Sequence, residues 1–366
     1  MIGTVGANMV AQRRPKVLVV DPNAGIATGH HAHWFERLRK SLDSFGINSQ
    51  MSVHPRVPES GTNAEWYGHA IPDSIASDAS QLIFTSGDDA LFPILRHLRK
   101  VRSSGKPVHI FLFRMAKQPR PFGRLTLAAK IMMLIILRIF VTKCRVYVLQ
   151  MPIGTSPRWH TWIGLIPVLD SSGTEVRNLH GKTAARRAYD LYVPPNHQVL
   201  LVIGMLGPGK HVDTIVRAWQ HSRVANASLV FVGEAPDDIH SLLLQASREI
   251  PSLCYVPGRA TDDDFDRLIE GADAVVALYR YSASSGVVLR ALAMGTRVLV
   301  GGSTIFVRQL KHVAGVKVIQ SVNVLSVSTS LSEILRLPVV PSINLDSNDA
   351  RVFPGPLVEG VRGLEK

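Results

Sequence analysis

The sequence is poor in cysteine and has no cysteine-based site. Only Cys144 and Cys254 occur among the 366 residues, and no CxxC or mixed Cys/His ligand spacing is present. Both lie in or beside apolar, strand-like runs, so we expect two reduced, buried thiols in a cytoplasmic protein. A disulfide-stapled secreted domain and a cysteine zinc site are thereby disfavoured.

Long uncharged hydrophobic runs are also missing. The strongest candidate, residues 125–141, is interrupted by Lys130 and Arg138, whereas a membrane-spanning helix needs about 20 mostly apolar residues. The first residues lack the charged and then apolar order of a signal peptide, and the first apolar run, 17–20, is typical of a strand. We therefore expect neither a transmembrane helix nor a signal peptide.

Acidic residues are absent between Asp89 and Asp170, a stretch that contains 14 basic ones. Residues 1–190 carry 25 Lys and Arg against 12 Asp and Glu, whereas residues 191–366 carry 16 of each. The whole net charge of +13 therefore belongs to the first half. A fold does not require such an excess, so it predicts an anionic partner or surface for the first half.

The apolar residues among the basic ones in residues 90–169 indicate what kind of anionic partner is expected. As a helix, the interrupted run would place Arg124, Lys130, Arg138 and Lys143 around a Leu/Ile/Met body. Such a helix suits an anionic membrane, with the long basic side chains at the headgroups; the alternative is a core helix with a basic edge. Nucleic acid is disfavoured because interleaved aromatic residues and a nucleic-acid-binding module are missing. We therefore predict a protein peripheral to the inner face of the membrane, docked through residues 90–169.

The length predicts two domains, because one domain usually has about 100–200 residues. Residues 1–190 and 191–340 both alternate short apolar strands with amphipathic helices, which predicts an α/β class with two Rossmann-like, doubly wound domains facing across a cleft. Pro194 and Pro195 mark the boundary, and residues 341–366, rich in Pro, Ser and Asn, are expected to be a tail. The predicted strands are 16–20, 81–85, 108–113, 145–149, 199–203, 228–232, 253–256, 274–278, 298–300 and 316–319, and the predicted helices are 33–45, 90–101, 124–141, 212–220, 238–249, 262–270 and 285–294.

A glycine-rich loop follows the first strand of the second half. Gly204, Gly207 and Gly209 precede Lys210, and a helix begins shortly afterwards. Glycines let backbone N–H groups approach an anion, the helix adds its positive end, and the lysine adds a charge suited to phosphate. A Walker loop is excluded because it would need Ser or Thr where His211 stands. The alternative is an ordinary tight turn.

Two later loops could add to this anion site. Arg259 follows another predicted strand, and Ser284, Ser285 and Gly286 open a predicted helix. Hydroxyl groups and free N–H groups at a helix start bind anions, whereas an ordinary serine N-cap accounts for only one of the serines. The carboxyl ends of parallel strands meet at one edge, so we expect these loops to share a cleft.

These two segments, in this order and at this separation, resemble the C-terminal domain of the GT-B glycosyltransferases that use nucleotide sugars. In the large retaining group of that superfamily, the first loop has the form G-R-L-x-x-x-K-G, and its Arg and Lys hold the donor diphosphate. Gly204 and Lys210 match, whereas Met205 stands at the Arg position and His211 at the second Gly position. The resemblance covers residues 198–302.

The later segment departs further from the family. Residues 291–298 resemble its A-x-A-x-G-x-P-V turn, but its paired glutamates, spaced E-x7-E, fall on Ser282 and Arg290 and are both absent. The remaining Ser-Ser-Gly form is similar to a subset of bacterial polysaccharide-assembly transferases.

The resemblance implies a donor site in the second domain. Arg290 would replace the charge missing at Met205 if it faces the cleft, and would otherwise be a surface residue. The donor would be a UDP- or GDP-linked sugar, and no metal or other cofactor is expected because no carboxylate pair precedes the phosphate loops. The expected donor-binding residues are Gly204, Lys210, Arg259, Ser284, Ser285, Gly286 and Arg290.

The first domain is expected to face the acceptor. Gly29, His30 and Trp34 resemble the G-H-x-x-x-aromatic opening of such enzymes. His30 and His31 are candidate catalytic residues that orient or deprotonate a hydroxyl; a solvated loop or a metal site are the alternatives. Asp88 follows a strand and is a candidate general base, with helix capping as the alternative.

Together these expectations describe a hexosyltransferase-type enzyme. It would move a sugar from a nucleotide diphosphate sugar to a membrane-associated glycan or lipid-linked acceptor, in polysaccharide or glycoconjugate assembly. The departures at Met205, Ser282 and Arg290 keep a second hypothesis open, a catalytically silent GT-B-like protein that binds a nucleotide sugar or glycan.

Overall fold

Two parallel six-stranded sheets form the frame of the protein. The computed structural model describes residues 17–22, 30–52, 63–113, 122–153, 164–172, 180–222, 224–280, 284–338, 341–343 and 351–364, without the side chains of residues 30–35, 63 and 122–124. Both sheets are buried between helices, which confirms the predicted α/β class with two doubly wound domains.

The first sheet has the strand order β2-β1-β3-β4-β5-β6. Its strands are β1 (Val17–Val20), β2 (Ser49–Met51), β3 (Gln81–Phe84), β4 (Val108–Leu112), β5 (Cys144–Gln150) and β6 (Ile166–Leu169). The accompanying helices are α1 (His30–Ser44), α2 (Asn63–Ala76), α3 (Gly87–Arg96), α4 (Leu98–Ser103) and α5 (Phe122–Phe140). The central strands are buried on both faces, so their near-continuous apolar sequences need helices on each side.

The second sheet has the strand order β12-β11-β10-β7-β8-β9. Its strands are β7 (Gln198–Ile203), β8 (Ala227–Gly233), β9 (Leu253–Pro257), β10 (Ala274–Tyr279), β11 (Arg297–Gly302) and β12 (Val316–Ile319). The helices are α6 (Lys182–Arg186), α7 (Val212–His221), α8 (Asp237–Glu249), α9 (Asp262–Gly271), α10 (Gly286–Ala293), α11 (Thr304–Leu310) and α12 (Val324–Arg336). Because β7 and β10 are neighbours, the loops after them lie side by side.

The C-terminal segment returns to the first sheet. The sequence predicts a tail at 341–366, whereas a helix, α13 (Gly355–Arg362), forms there and packs beside α1. Its side chains Leu357, Val358 and Val361 are buried in the core that β1 shares with β5. The sequence does not predict this helix, because the apolar group is short and is flanked by proline and glycine, which usually mark loops.

Residues before the predicted boundary also belong to the second domain. Arg186 in α6 donates a hydrogen bond to Asp273 at 2.9 Å, and the Tyr189 hydroxyl donates to the carbonyl oxygen of Leu268 at 2.5 Å. Tyr189 is buried in the second domain's core. The packing therefore places residues 182–193 with the second domain, although they precede Pro194.

Some elements escaped the sequence analysis for local reasons. β2 has only three residues and contains Ser49 and Gln50, β6 contains Pro167, and α2 contains Pro72. Pairing with β1 fixes β2, and pairing with β5 fixes β6. In these strands, pairing within the sheet outweighs the weak intrinsic strand propensity of the residues.

Candidate active site

The glycine-rich loop after β7 turns sharply at Gly204. Gly204 has φ +93°, a left-handed conformation that glycine adopts without cost. Its carbonyl oxygen would lie only 2.0 Å from a Cβ atom at Gly233, so both positions need glycine. The backbones at the ends of β7 and β8 are therefore in close contact, and the Gly204 N–H donates a hydrogen bond to the carbonyl oxygen of Val232 at 3.0 Å.

Lys210 ends this loop and lies inside it. Its Nζ donates a hydrogen bond to the carbonyl oxygen of Ile203 at 2.5 Å and lies 5.9 Å from the centre of the Tyr279 ring. Burial lowers the pKa of the Lys210 ammonium to about 8. A desolvated cation at the end of a glycine loop is suited to an incoming anion, because little water competes for it.

Tyr279 connects this loop to the start of α10. Its hydroxyl lies 3.0 Å from the Oγ of Ser285, and burial raises the pKa of Tyr279, which keeps the phenol neutral. Ser285 is the N-cap of α10 and accepts a hydrogen bond from the backbone N–H of Val288. The first N–H groups of a helix are not used within it, and its dipole is positive there, so this end attracts anions.

A backbone contact holds the two loops together. The N–H of Arg280, just after β10, donates to the carbonyl oxygen of Gly209 at 2.8 Å. Lys210 and the Ser285 helix start therefore lie at the same edge of the sheet, as the sequence predicts for carboxyl ends of neighbouring parallel strands.

His211 occupies a strained position between these loops. It has φ +53° and ψ +36°, which is left-handed, and its Nε2 would lie 3.3 Å from a Cβ atom at Gly302. The related motif has glycine at this position, and the conformation gives the physical reason. Burial, followed by the charge of Arg280, lowers the pKa of the His211 imidazole. Met205, at the position of the motif's Arg, is 61% exposed.

The Arg290 side chain is directed towards α9. Its guanidinium donates to the Asp266 carboxylate at 2.7 Å and lies over the ring of Phe265, both on α9. Only 9% of Arg290 is exposed, so it is neither a cleft cation nor a surface residue. The expected donor contact is replaced by a buried ion pair that joins α10 to α9.

Arg259 lines an open cavity beside the ends of β8 and β9. The cavity has a volume of about 630 Å³ and is lined by Val232, Pro257, Gly258 and further residues of α6 and α9. Four of its side chains are basic or histidine and one is acidic, namely Arg187, Arg259, Arg267, His180 and Asp264. Strands in a sheet are about 4.8 Å apart, so β9 lies roughly 10 Å from β7. The cavity is therefore at the same edge of the sheet as the Lys210 loop, two strands away.

Asp88 has partners within the first domain. Its carboxylate forms an ion pair with Lys130 of α5 and accepts a hydrogen bond from the backbone N–H of Phe113 at 2.9 Å. Both side chains are nearly buried. A carboxylate committed to a buried cation is badly placed to take a proton from a hydroxyl in the cleft, so the structure favours a packing role over the predicted general base. Lys130 is likewise unable to reach a membrane surface.

The histidine candidates lie at the beginning of α1. His30 and His31 are the first residues of that helix, while Gly29 and the side chains of both histidines lie outside the described part of the chain. Ser282, at the position of a family glutamate, also lies outside it. Within the described residues, no three His, Cys, Asp or Glu side chains cluster as metal ligands would.

Sequence analysis gave no role to Asp170 or Tyr279. Asp170 follows β6 in the first domain, yet its carboxylate accepts a hydrogen bond from Ser284 of the second domain at 2.6 Å. The position of a lone Asp after a strand gives no signal of such a contact. Tyr279 could have been noticed, because an aromatic residue ends the apolar strand that precedes the serine loop.

Comparisons with known proteins agree with this architecture. Residues 197–325 match the family model described as Glycosyl transferases group 1, and no curated protein matches the chain. Sucrose-phosphate synthase from Thermosynechococcus elongatus is 14% identical, with a TM-score of 0.62 over 96% of this chain and 94% of that one. HepE from Anabaena, in complex with UDP and glucose, is 12% identical, with a TM-score of 0.57 over 96% and 94%. WaaG, a glycosyltransferase involved in lipopolysaccharide biosynthesis, is 13% identical, with a TM-score of 0.54 over 95% and 94%.

The chain therefore has the GT-B fold of glycosyltransferases. Residues 197–325 of its second domain match the sequence pattern of group 1 glycosyltransferases, which are enzymes, and the match includes the Lys210 loop and the serine loop. The resemblance inferred from the sequence is thereby confirmed at the level of the fold.

Proposed function

We propose that the protein is a glycosyltransferase that moves a sugar from a UDP- or GDP-linked donor to a hydroxyl of a membrane-associated glycan or lipid-linked acceptor, in polysaccharide or glycoconjugate assembly. The convergence of Lys210 and the Ser285 helix start on Tyr279 carries this proposal. The match over residues 197–325 and the UDP and glucose bound to HepE support the donor class.

The chemistry of the site fits departure of a nucleoside diphosphate. As the bond from the sugar to the diphosphate breaks, its electron pair moves to the leaving oxygen. The Lys210 ammonium and the first N–H groups of α10 would stabilise that charge, so the proposed chemistry uses protein groups rather than a metal. The acceptor oxygen forms the new bond to the sugar and loses its proton, for which His30 and His31 are the proposed groups.

The cavity beside Arg259 is the proposed place for the rest of the nucleotide. It lies at the same carboxyl edge as Lys210, at a distance that a nucleoside diphosphate can span, and arginine side chains can stack on a base or pair with phosphate. The backbone N–H of Gly286, at the start of α10, would complete the contacts to the diphosphate, whereas the Gly204 N–H is already used by the carbonyl oxygen of Val232 at 3.0 Å and Gly204 serves the turn of the loop.

A nucleotide panel tests the donor site. UDP, GDP and their sugar conjugates should raise the unfolding temperature of the protein, since a ligand at 100 times its Kd adds about 2.7 kcal/mol of stability. Lys210→Ala should abolish the shift, whereas Lys311→Ala, which removes an exposed lysine of the same domain, should keep it. An unchanged shift in Lys210→Ala contradicts the assignment.

A catalytically silent binding protein is the second candidate. Met205 is exposed where the related motif has Arg, and Arg290 is occupied by Asp266. A membrane extract supplied with UDP- or GDP-sugar distinguishes the candidates: release of free nucleotide supports the transferase, and nucleotide-sugar binding without release supports the silent protein.

The exposed face of α5 is the proposed membrane contact. Among the described helices, none is long and apolar enough to cross a membrane. Yet α5 exposes large apolar side chains at helical spacing, namely Leu125, Met132, Ile135, Ile139 and Phe140, and Phe92 on neighbouring α3 is 68% exposed. Exposed basic side chains on α3, α4 and the end of α5 surround it, namely Arg96, Arg99, Lys100, Arg102, Arg138 and Lys143. An apolar face with a basic rim suits an anionic bilayer.

Vesicle flotation tests this contact. Met132→Glu with Ile139→Glu should release the protein from anionic vesicles and leave UDP or GDP binding unchanged. Leu325→Glu is the matched control, because Leu325 is equally apolar and 78% exposed but lies in the second domain. Flotation of the double variant with anionic vesicles, or a smaller oligomer for the double variant than for the wild-type protein, would show that α5 does not serve as a membrane contact.

A further inference from the structure

The second domain's serine loop is tied to the first domain by one buried carboxylate. Asp170 follows β6, is 3% exposed, and continues the strand ladder by donating its N–H to the carbonyl oxygen of Gln150 at 2.8 Å. Its Oδ2 accepts a hydrogen bond from the Ser284 hydroxyl at 2.6 Å. Ser284 immediately precedes Ser285, the N-cap of α10, so the contact ends at the proposed diphosphate site.

The carboxylate is rigidly held before it reaches Ser284. Its Oδ1 accepts hydrogen bonds from both the N–H and the hydroxyl of Ser172, at 2.9 and 2.6 Å. This local turn fixes the Asp170 side chain on the first domain, and burial requires that its charge be satisfied by such donors. Ser284 is thus one of a fixed set of donors, and moving it away would leave part of a buried charge without a partner.

The same region is where the two domains meet. Met151, just after β5, is buried in the core of the second domain. β6 is the edge strand of the first sheet, and Asp170, just after it, reaches the segment before α10 through its hydrogen bond with Ser284. Related enzymes have glutamates at the positions of Ser282, in the serine loop, and Arg290, in α10. In this protein a carboxylate of the first domain reaches the serine loop.

We propose that Asp170 is a positioning residue for nucleotide binding. Through Ser284 it sets the orientation of the Ser284–Ser285–Gly286 segment, and thereby aims the first N–H groups of α10 at the donor diphosphate. This inference rests on the proposed function, since it assumes that a nucleotide occupies the second domain. Asp170 acts through Ser284 and does not itself contact the nucleotide.

Calorimetric titration with UDP and with GDP tests the inference, using whichever nucleotide the wild-type protein binds. Ser284→Ala and Asp170→Ala should each weaken binding by about tenfold, as expected for loss of a charge-assisted hydrogen bond. The double variant should bind no more weakly than the weaker single variant, because both substitutions remove the same hydrogen bond between Asp170 and Ser284. Ser284→Thr, which keeps the hydroxyl, should restore binding.

Ser172→Ala is the matched control, because it removes a hydrogen bond from the same carboxylate without touching the domain contact. It should lower the unfolding temperature but change the nucleotide Kd by less than about twofold. Equal losses of affinity in Ser172→Ala and Ser284→Ala, multiplicative effects in the double variant, or wild-type affinity in Ser284→Ala would each overturn the inference. Failure of the wild-type protein to bind either nucleotide would instead overturn the proposed function, and this inference with it.

Discussion

Lys210 Nζ donates a hydrogen bond to the carbonyl oxygen of Ile203 at 2.5 Å, across the turn made by Gly204. The lysine thus folds back over its own loop, and its ammonium is held 5.9 Å from the centre of the Tyr279 ring, at the edge of the sheet where the proposed anion site lies. The contact joins the last residue of a buried strand to the charge that the proposed reaction requires. Its strength depends on the protonation of one amine, so pH is a direct probe of the site.

Nucleotide affinity should fall as the pH rises above about 8. The pKa of Lys210 is lowered to about 8 by burial, so the unliganded amine loses its proton there, whereas a bound diphosphate favours the ammonium form. The Kd for UDP or GDP should be constant below that pH and rise by up to tenfold per unit above it. The arginine of Lys210→Arg keeps its charge to higher pH, so the Kd of that variant should not change with pH in this range. A rise of Kd at the same pH in Lys210→Arg would show that another group causes the pH dependence.

His211→Gly should retain the loop, whereas His211→Val should disrupt it. The residue has φ +53°, which glycine tolerates and a β-branched residue does not. We expect His211→Val to cost about 1–3 kcal/mol in urea unfolding and to weaken nucleotide binding, and His211→Gly to be close to wild type. Equal stability of the two variants would show that this turn relaxes readily.

Arg290→Ala should act on stability. Removing one partner of a buried ion pair deprives the Asp266 carboxylate of its Arg290 counter-charge and typically costs about 3–5 kcal/mol. The paired replacement Arg290→Met with Asp266→Leu should recover much of that loss, measured by denaturant unfolding. If Arg290→Ala is as stable as the wild-type protein but no longer binds the nucleotide, Arg290 contacts the donor as the sequence predicts.

Stability should decrease in acid through His109. The imidazole is fully buried in β4, 2.9 Å from Gln81 Oε1 and 3.0 Å from the Tyr147 hydroxyl. Burial, followed by Arg145, lowers the pKa of His109 to about 3. Between pH 6.5 and 3 the unfolded chain therefore binds a proton that the folded protein does not, so the unfolding free energy should fall by about 1.4 kcal/mol per unit as the pH drops.

The corresponding control is His109→Gln, which cannot titrate. Its unfolding free energy, measured in urea at pH 7 and pH 5, should change less between the two than that of the wild-type protein. Identical changes in both proteins would assign the acid sensitivity to other residues.

The sequence by itself determined the two α/β domains and the location of the proposed anion site. Strands such as Gln198–Ile203 and Ala274–Tyr279 are apolar throughout, and a strand buried on both faces must be covered by helices. The glycines before Lys210 and the serines before α10 follow such strands directly, so local chemistry and the geometry of parallel sheets place them at one edge.

Only the tertiary structure decided which charged residues are free to act. Lys130 and Asp88 are 42 positions apart in sequence, and Arg290 and Asp266 are 24 apart, yet each pair is joined and buried. Packing between helices determines which residue pairs with a buried charge. Neither the composition nor the spacing of the sequence predicts that pairing. For the same reason the return of α13 to the first sheet and the contact of Asp170 with Ser284 emerge only when the chain is folded.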